Sequence, residues 1–255
     1  MTAPTDTAAR IRIVLVGTQH PGNMGAAARA MKTMGLTRLL LVAPERSPGH
    51  EAFAMAAGAD DVLGEALRYD GLADAVADCR LVLGCTARSR RVQLPELDPR
   101  EAAARAVADA GAGRTVALVF GRERTGLTNE ELQLCHAAVH IPADPGYSSL
   151  NLAAAVQVVA YELRLALLTA AGAAPATDAG PAPATHAQLE GFFAQLAETL
   201  EAIDFHKGRA PESALRKLRR LYMRARPSAA EVRLLRGVLA DAQRMARLAG
   251  APRDE

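Results

Sequence analysis

The stretch IRIVLVGTQHPGNMGAAARAMKTMG, residues 11–35, decides how the rest of the chain is read. Ile11 to Val16 form a short apolar run, interrupted only by Arg12, that suits a buried strand. Gly17 and Gly22 then bracket a turn, and an alanine-rich helix follows. The two glycines have the G-x-x-x-x-G spacing of a phosphate loop, but Asn23 and Met24 stand where that motif needs Lys and Ser or Thr. A nucleoside triphosphatase therefore fits poorly, and so does a dinucleotide fold, which needs G-x-G-x-x-G. Pro21 and Gly22 turn the chain, Asn23 suits an N-cap, and Gly35 suits the helix end. Ala26, Ala27, Ala28 and Ala30 keep the helix thin, so that another backbone or a ligand can approach. Arg29 and Lys32 share a face, which is either turned to a ligand or simply the wet side of an amphipathic helix.

Working outward, comparable apolar runs recur at Arg38–Val42, Arg80–Cys85, Thr115–Phe120 and Ala138–Ile141, most of them separated by helical stretches. Strands alternating with helices predict an α/β fold whose parallel sheet is covered on both faces. Ligands of such sheets bind beyond the carboxyl ends of the strands. From Leu150 to about Ala171 the pattern is a helix apolar almost all round, which is either buried or packed on another subunit. The segment GAAPATDAGPAPAT, residues 172–185, reads as an exposed tether. Helical patterns over His186–Ile203, Ser213–Arg224 and Ser228–Leu248 follow, punctuated by Pro211 and Pro227. The expected organisation is a sheet domain over 1–171, with residues 1–9 a disordered tail, then a linker over 172–185 and a helical extension over 186–255.

With 255 residues, half of them hydrophobic, the chain can bury a substantial core. The N-terminal MTAPTDTAA lacks a basic start and an apolar core, so neither a signal peptide nor a membrane span is expected. Cys79, Cys85 and Cys135 include no C-x-x-C pair, which argues against a disulfide framework and against a metal site, and fits a reducing cytoplasm. A net charge of +2 conceals a split: residues 205–248 hold twelve Lys and Arg against Glu212, Glu231 and Asp241. Such a segment is either a polyanion-binding module or a solvated basic face on a helical bundle.

Two further strand-end loops carry polar residues. FGRERTGLTNEEL, residues 120–132, passes Gly121 and Gly126 into a helix started by a Thr128–Glu131 capping box. Arg122, Glu123 and Arg124 then present charge at the sheet edge or form a surface ion-pair cluster. In IPADPGYSSLNLAAAVQVVAYEL, residues 141–163, Ser148, Ser149 and Asn151 crowd a helix start where one cap would suffice. No G-x-S-x-G elbow points to a serine hydrolase, and His136 and His140 lack the Glu of a zinc helix.

Together, NMGAAARAMKTMGL, LVFGRERTGLTNEEL and IPADPGYSSLNLAAAVQVVAYEL resemble, in order and spacing, the SPOUT superfamily of RNA methyltransferases, the SpoU or TrmH-like group, and within it the TrmJ-like branch. The basic stretch RRLYMRARPSAAEVRLLRGVLADA, residues 219–242, is similar to the C-terminal extension of that branch. The resemblance implies an α/β sheet with a C-terminal trefoil knot. It implies S-adenosylmethionine as methyl donor and a ribose 2'-hydroxyl of tRNA as acceptor, at position 32 of the anticodon loop. The cofactor pocket would draw on Thr86, Ala87, Arg88, Gly121, Ile141, Ser148, Ser149 and Leu150. Arg29, Asn23, Ser149 and Asn151 would be the catalytic set, with Arg29 either a general base or a phosphate clamp.

RNA contacts would come from Arg29, Lys32, Arg122, Arg124, Arg216, Lys217, Arg219, Arg220 and Arg224. The resemblance further implies a homodimer in which Arg122 or Arg124 can serve the partner's site. Asp144 departs from the Asn more usual in the I-P-A-N-P stretch. Weighed against this are methylation at another tRNA or rRNA site, a noncatalytic RNA-binding protein of the same fold, and a small-molecule nucleotide-binding enzyme. The last would leave the basic extension without a purpose.

Overall fold

The computed structural model describes residues 4–87, 94–172, 181–207 and 210–250, and the chain divides into two compact units between Ala179 and Gly180. The first unit runs α1 (Pro4–Ala8), β1 (Ile11–Val16), α2 (Pro21–Thr33), β2 (Arg38–Val42), α3 (His50–Ala56), α4 (Asp60–Gly64), β3 (Leu67–Tyr69), α5 (Leu72–Ala75), β4 (Leu81–Cys85), β5 (Glu96–Leu97), α6 (Pro99–Gly111), β6 (Val116–Phe120), α7 (Asn129–Gln133), β7 (Ala137–Val139) and α8 (Leu152–Gly172). All seven strands pair in parallel, in the order β3-β2-β1-β6-β4-β7-β5.

Strand alternation splits the core in two. Ile11, Ile13 and Leu15 join Leu118 and Phe120 in a cluster covered by α2, α6 and α8. Val14 and Val16 join Val82, Ala117 and Val119 on the opposite face. Burial on both faces explains why these strands read as continuous apolar runs. β3 and β5 escape such a reading because they are short edge strands with partly exposed side chains.

Two local expectations are corrected and a third is narrowed. Residues 4–8 are helical, not a tail, and Thr7 and Ala8 are buried because Ala8 packs into the main cluster. α2 begins at Pro21 with His20 at the N-cap, so Asn23 sits inside its first turn. The thin face of α2 admits a backbone rather than a ligand: a Cβ on Gly25 would lie 1.9 Å from the carbonyl oxygen of Ala52 on α3.

α8 has the length and composition of a membrane-crossing helix, but it buries Leu152, Val156, Val159, Leu163 and Leu167 in the core. Tyr161, Leu165 and Leu168 stay exposed along its other side.

The second unit packs α9 (His186–Ala202), α10 (Pro211–Ala225) and α11 (Ala229–Gly250) around Leu189, Phe192, Leu196, Met223 and Val232. Thr185 and Gln188 form a capping box that starts α9, and Pro211 occupies the first turn of α10, where its missing N–H costs nothing. Phe192 and Tyr222 meet edge to face at 4.7 Å. Pro183 and Ala184, assigned to the tether by composition, belong to this unit: Pro183 bridges Ser228, and Ala184 donates to the Pro227 carbonyl at 2.7 Å.

Candidate active site

Three loops at the carboxyl ends of β4, β6 and β7 enclose a cavity of about 380 Å³. After β4 come Thr86 and Ala87, after β6 come residues 121–126, and after β7 come Ile141 and Ser148–Leu150. The apolar wall is Phe120, Val139, Leu152 and Ala155. Seven of the eight residues expected to form the cofactor pocket therefore line one cavity: Thr86, Ala87, Gly121, Ile141, Ser148, Ser149 and Leu150. The eighth, Arg88, lies outside the described residues.

Gly121 makes the loop after β6 possible. A Cβ there would lie 2.2 Å from the backbone of Gly126 and Leu127, where the chain folds back through the Arg122–Gly126 bridge. Cys85 also lines the cavity, and desolvation, reinforced by nearby Cys135, pushes its thiol well above the usual range. It is a neutral group at physiological pH.

A relay of side chains joins this cavity to α2. Asn151 donates from Nδ2 to Asn23 Oδ1 at 3.1 Å, and Asn23 donates from Nδ2 to Glu123 Oε1 at 2.9 Å. Asn151 Oδ1 accepts from the Ala153 N–H at 2.9 Å and so caps α8, which leaves Ser148 and Ser149 to the cavity. Glu123 also accepts from the backbone N–H groups of Gln19 (3.0 Å) and His20 (3.2 Å), taking the place of a local cap at the start of α2. Burial alone would raise the Glu123 carboxyl, but the bonds from Asn23, Gln19 and His20 prevail and hold it below the usual carboxylate range. The helix dipole favours the same charge. The local sequence marks Glu123 only as a charge at the sheet edge. Its partners lie about a hundred residues away, and no local spacing encodes them.

Arg29 is exposed on α2, with no hydrogen bond or ion pair to its guanidinium among the described residues. Arg124 is exposed as well. Lys32, by contrast, is committed to Asp61 at 2.8 Å and to the Gly58 carbonyl at 2.9 Å. The Arg122 guanidinium donates to both oxygens of Glu131 at 3.0 Å. In the second unit Arg216, Lys217 and Arg224 are exposed on α10 and Arg220 is partly buried. Arg219 is placed differently: it is largely buried, paired with Glu190 and stacked 4.5 Å above the Phe193 ring.

His136 and His140 do not converge: Nδ1 of His136 accepts from the Val82 N–H, and Nδ1 of His140 faces the Thr86 carbonyl. Among the described residues no three His, Cys, Asp or Glu side chains form a metal-binding group.

Residues 10–161 match the model of the SpoU rRNA Methylase family, and residues 187–251 match the TrmJ tRNA methyltransferase C-terminal domain. The chain is 55% identical over 232 residues to the tRNA (cytidine/uridine-2'-O-)-methyltransferase TrmJ of Klebsiella pneumoniae, covering 90% of this chain and 95% of that one. Among solved structures, TrmJ from Z. mobilis superposes with a TM-score of 0.77 at 36% identity, covering 90% of this chain and 97% of the other. A probable methylase family protein from Haemophilus influenzae is 43% identical with a TM-score of 0.63, covering 95% and 99%.

Proposed function

The chain belongs to the SpoU rRNA methylase family and carries a TrmJ-type C-terminal domain; from that premise we infer an S-adenosylmethionine-dependent 2'-O-methyltransferase acting on tRNA. The target is a cytidine or uridine ribose at position 32 of the anticodon loop. One observation carries the reading: a single cavity built by three strand-end loops is tied, through Asn151, Asn23 and Glu123, to the helix that exposes Arg29.

The cavity suits the donor. Its volume of about 380 Å³ lies in the range of small-ligand sites. Ser148 and Ser149 line it beside apolar side chains, with Glu123 as a fixed anionic side chain, Arg122 neutralised by Glu131, and Arg124 exposed on the same loop. Without a loop lysine, that set suits a sulfonium donor. When bound, S-adenosylmethionine supplies an electrophilic methyl group. Thr86, Ala87, Gly121, Ile141, Ser148, Ser149 and Leu150 would hold it.

The protein's own contribution is alignment and charge. Arg29 grips the phosphate beside the target ribose and, as a cationic guanidinium with several donors, stabilises negative charge developing on its 2'-oxygen. Ser149, free of the helix cap, orients the hydroxyl. Asn151 and Asn23, whose amides are engaged with each other, fix the spacing between the loop and α2. Alignment of this kind is worth up to about 7–11 kcal/mol.

The knotted threading of the C-terminal segment belongs to the same reading, supported by a sheet order that sets β4 between β6 and β7. A homodimer is supported by the exposed Tyr161, Leu165 and Leu168 on α8, and its tRNA substrate assigns the protein to the cytoplasm. Radiolabelled methyl transfer to unmodified tRNA transcripts, with mapping of the blocked 2'-position, tests the function. No transfer, or transfer to a base, overturns it. Light scattering on Leu165→Glu tests the dimer.

A further inference from the structure

We propose that Tyr147 is the surface on which the base of the target nucleotide stacks, a positioning residue for methyl transfer; this rests on the tRNA 2'-O-methyltransferase reading above. Tyr147 is 86% exposed, more than any other aromatic in the chain. Phe120, Phe192 and Phe193 are buried, and Tyr222 packs on Phe192. Phe53, Tyr161 and Phe205 are also exposed, but to a lesser degree, and a ring left in water contributes little to folding and is available to a partner.

The ring is presented by an ordered turn. Asp144 Oδ1 accepts from the Gly146 N–H at 2.8 Å, and the Asp144 carbonyl accepts from the Tyr147 N–H at 3.0 Å. Asp in place of Asn at this position keeps the acceptor that the turn needs.

Its place in the chain sets what meets it. Ser148 and Ser149, the next two residues, line the cavity. Asn151 bonds to Asn23 on α2, the helix that exposes Arg29. A ribose brought to the cavity with its phosphate near Arg29 carries a base that needs a flat apolar surface outside. Single-stranded loops of RNA are recognised by stacking unpaired bases on aromatic side chains. Stacking engages the π-face and leaves the hydrogen-bonding edge unread. One tyrosine therefore accepts cytidine and uridine alike, the two nucleosides in the name of the similar Klebsiella enzyme.

The test compares wild type, Tyr147→Ala and Tyr147→Phe on tRNA carrying cytidine, uridine or an abasic ribose at the methylated position. Tyr147→Ala is expected to lower kcat/KM roughly 5- to 150-fold, equally for cytidine and uridine. Tyr147→Phe should stay within about twofold of wild type, because the stacking face survives. Affinity for S-adenosylhomocysteine and the oligomeric state should not change. Removing the base should cost the wild type a similar factor and the Tyr147→Ala protein nothing more, since the two changes delete one contact.

Multiplicative losses, or a Tyr147→Phe protein as impaired as Tyr147→Ala, overturn the proposal. So does a parallel fall in S-adenosylhomocysteine affinity or a change in oligomeric state, which would assign the ring to the cofactor or to a partner subunit. A wild type active on tRNA with Tyr147→Ala unimpaired removes this proposal alone. A wild type that transfers no methyl to tRNA removes the functional reading and this one with it.

Discussion

In the sheet unit Glu123 accepts three hydrogen bonds and Arg122 is clasped by Glu131, whereas on α10 of the helical unit Arg216, Lys217 and Arg224 extend into solvent. The first unit encloses its cavity between loops pinned to a buried sheet. The second has a small core of Phe, Leu, Met and Val and an outer layer dominated by cations. The difference fits the two tasks that the family resemblance implies: aligning one ribose needs fixed groups, while gripping a polyanion needs charges free to meet phosphates at many places. Arg29 belongs to the sheet unit but resembles the exposed cations of α10, with no hydrogen bond or ion pair to its guanidinium among the described residues.

That exception gives the sharpest test. Arg29→Ala is expected to lower single-turnover methyl transfer about a thousandfold, with an unchanged unfolding temperature and unchanged S-adenosylhomocysteine binding by calorimetry. Arg29→Lys should lose less, because only the bidentate contact disappears. A drop in unfolding temperature would show Arg29 to be structural after all.

Replacing Arg216, Lys217 and Arg224 together with Ala should weaken tRNA binding at least about tenfold and reduce the slope of log affinity against log salt by about three. Filter binding at several salt concentrations checks both. An unchanged slope would return α10 to the status of a solvated face.

The two units should also fail separately. Gly25→Ala forces a methyl against the Ala52 carbonyl between α2 and α3, and should cost the sheet unit about 1–3 kcal/mol. Calorimetry should show only that unit's transition moving.

The smallest effect lies in the helical unit. Burial, aided by Arg219 and opposed by Glu190, lowers the His186 imidazole below its ordinary value of 6.5. The folded state therefore binds this proton less readily than the unfolded state. Stability from the neutral ring is complete above pH 6.5 and declines as pH falls through the folded value. Thermal unfolding at pH 7.5 and 5.5 should separate for wild type and converge for His186→Leu.

Much of the fold is legible without coordinates. β1 and β2 match the apolar runs Ile11–Val16 and Arg38–Val42, and β4 and β6 each begin one residue later than their runs. The Thr128–Glu131 box is formed as the spacing requires. Misjudged features depend on contacts distant in sequence: α1 is a helix because Ala8 reaches the core, and α2 starts early because Glu123 caps it from another loop.

The five buried strands, the three loop motifs and the charged C-terminal segment were fixed by local pattern: apolar periodicity and turn chemistry act over a few residues and survive in any reading of the chain. Which loops share a cavity, that Asn151, Asn23 and Glu123 form one relay, and that Lys32, Arg122 and Arg219 are already paired while Arg29 is not, were decided only by tertiary packing. The sheet brings strand ends from separate parts of the chain side by side, and a charge acquires its role from the partner it finds there.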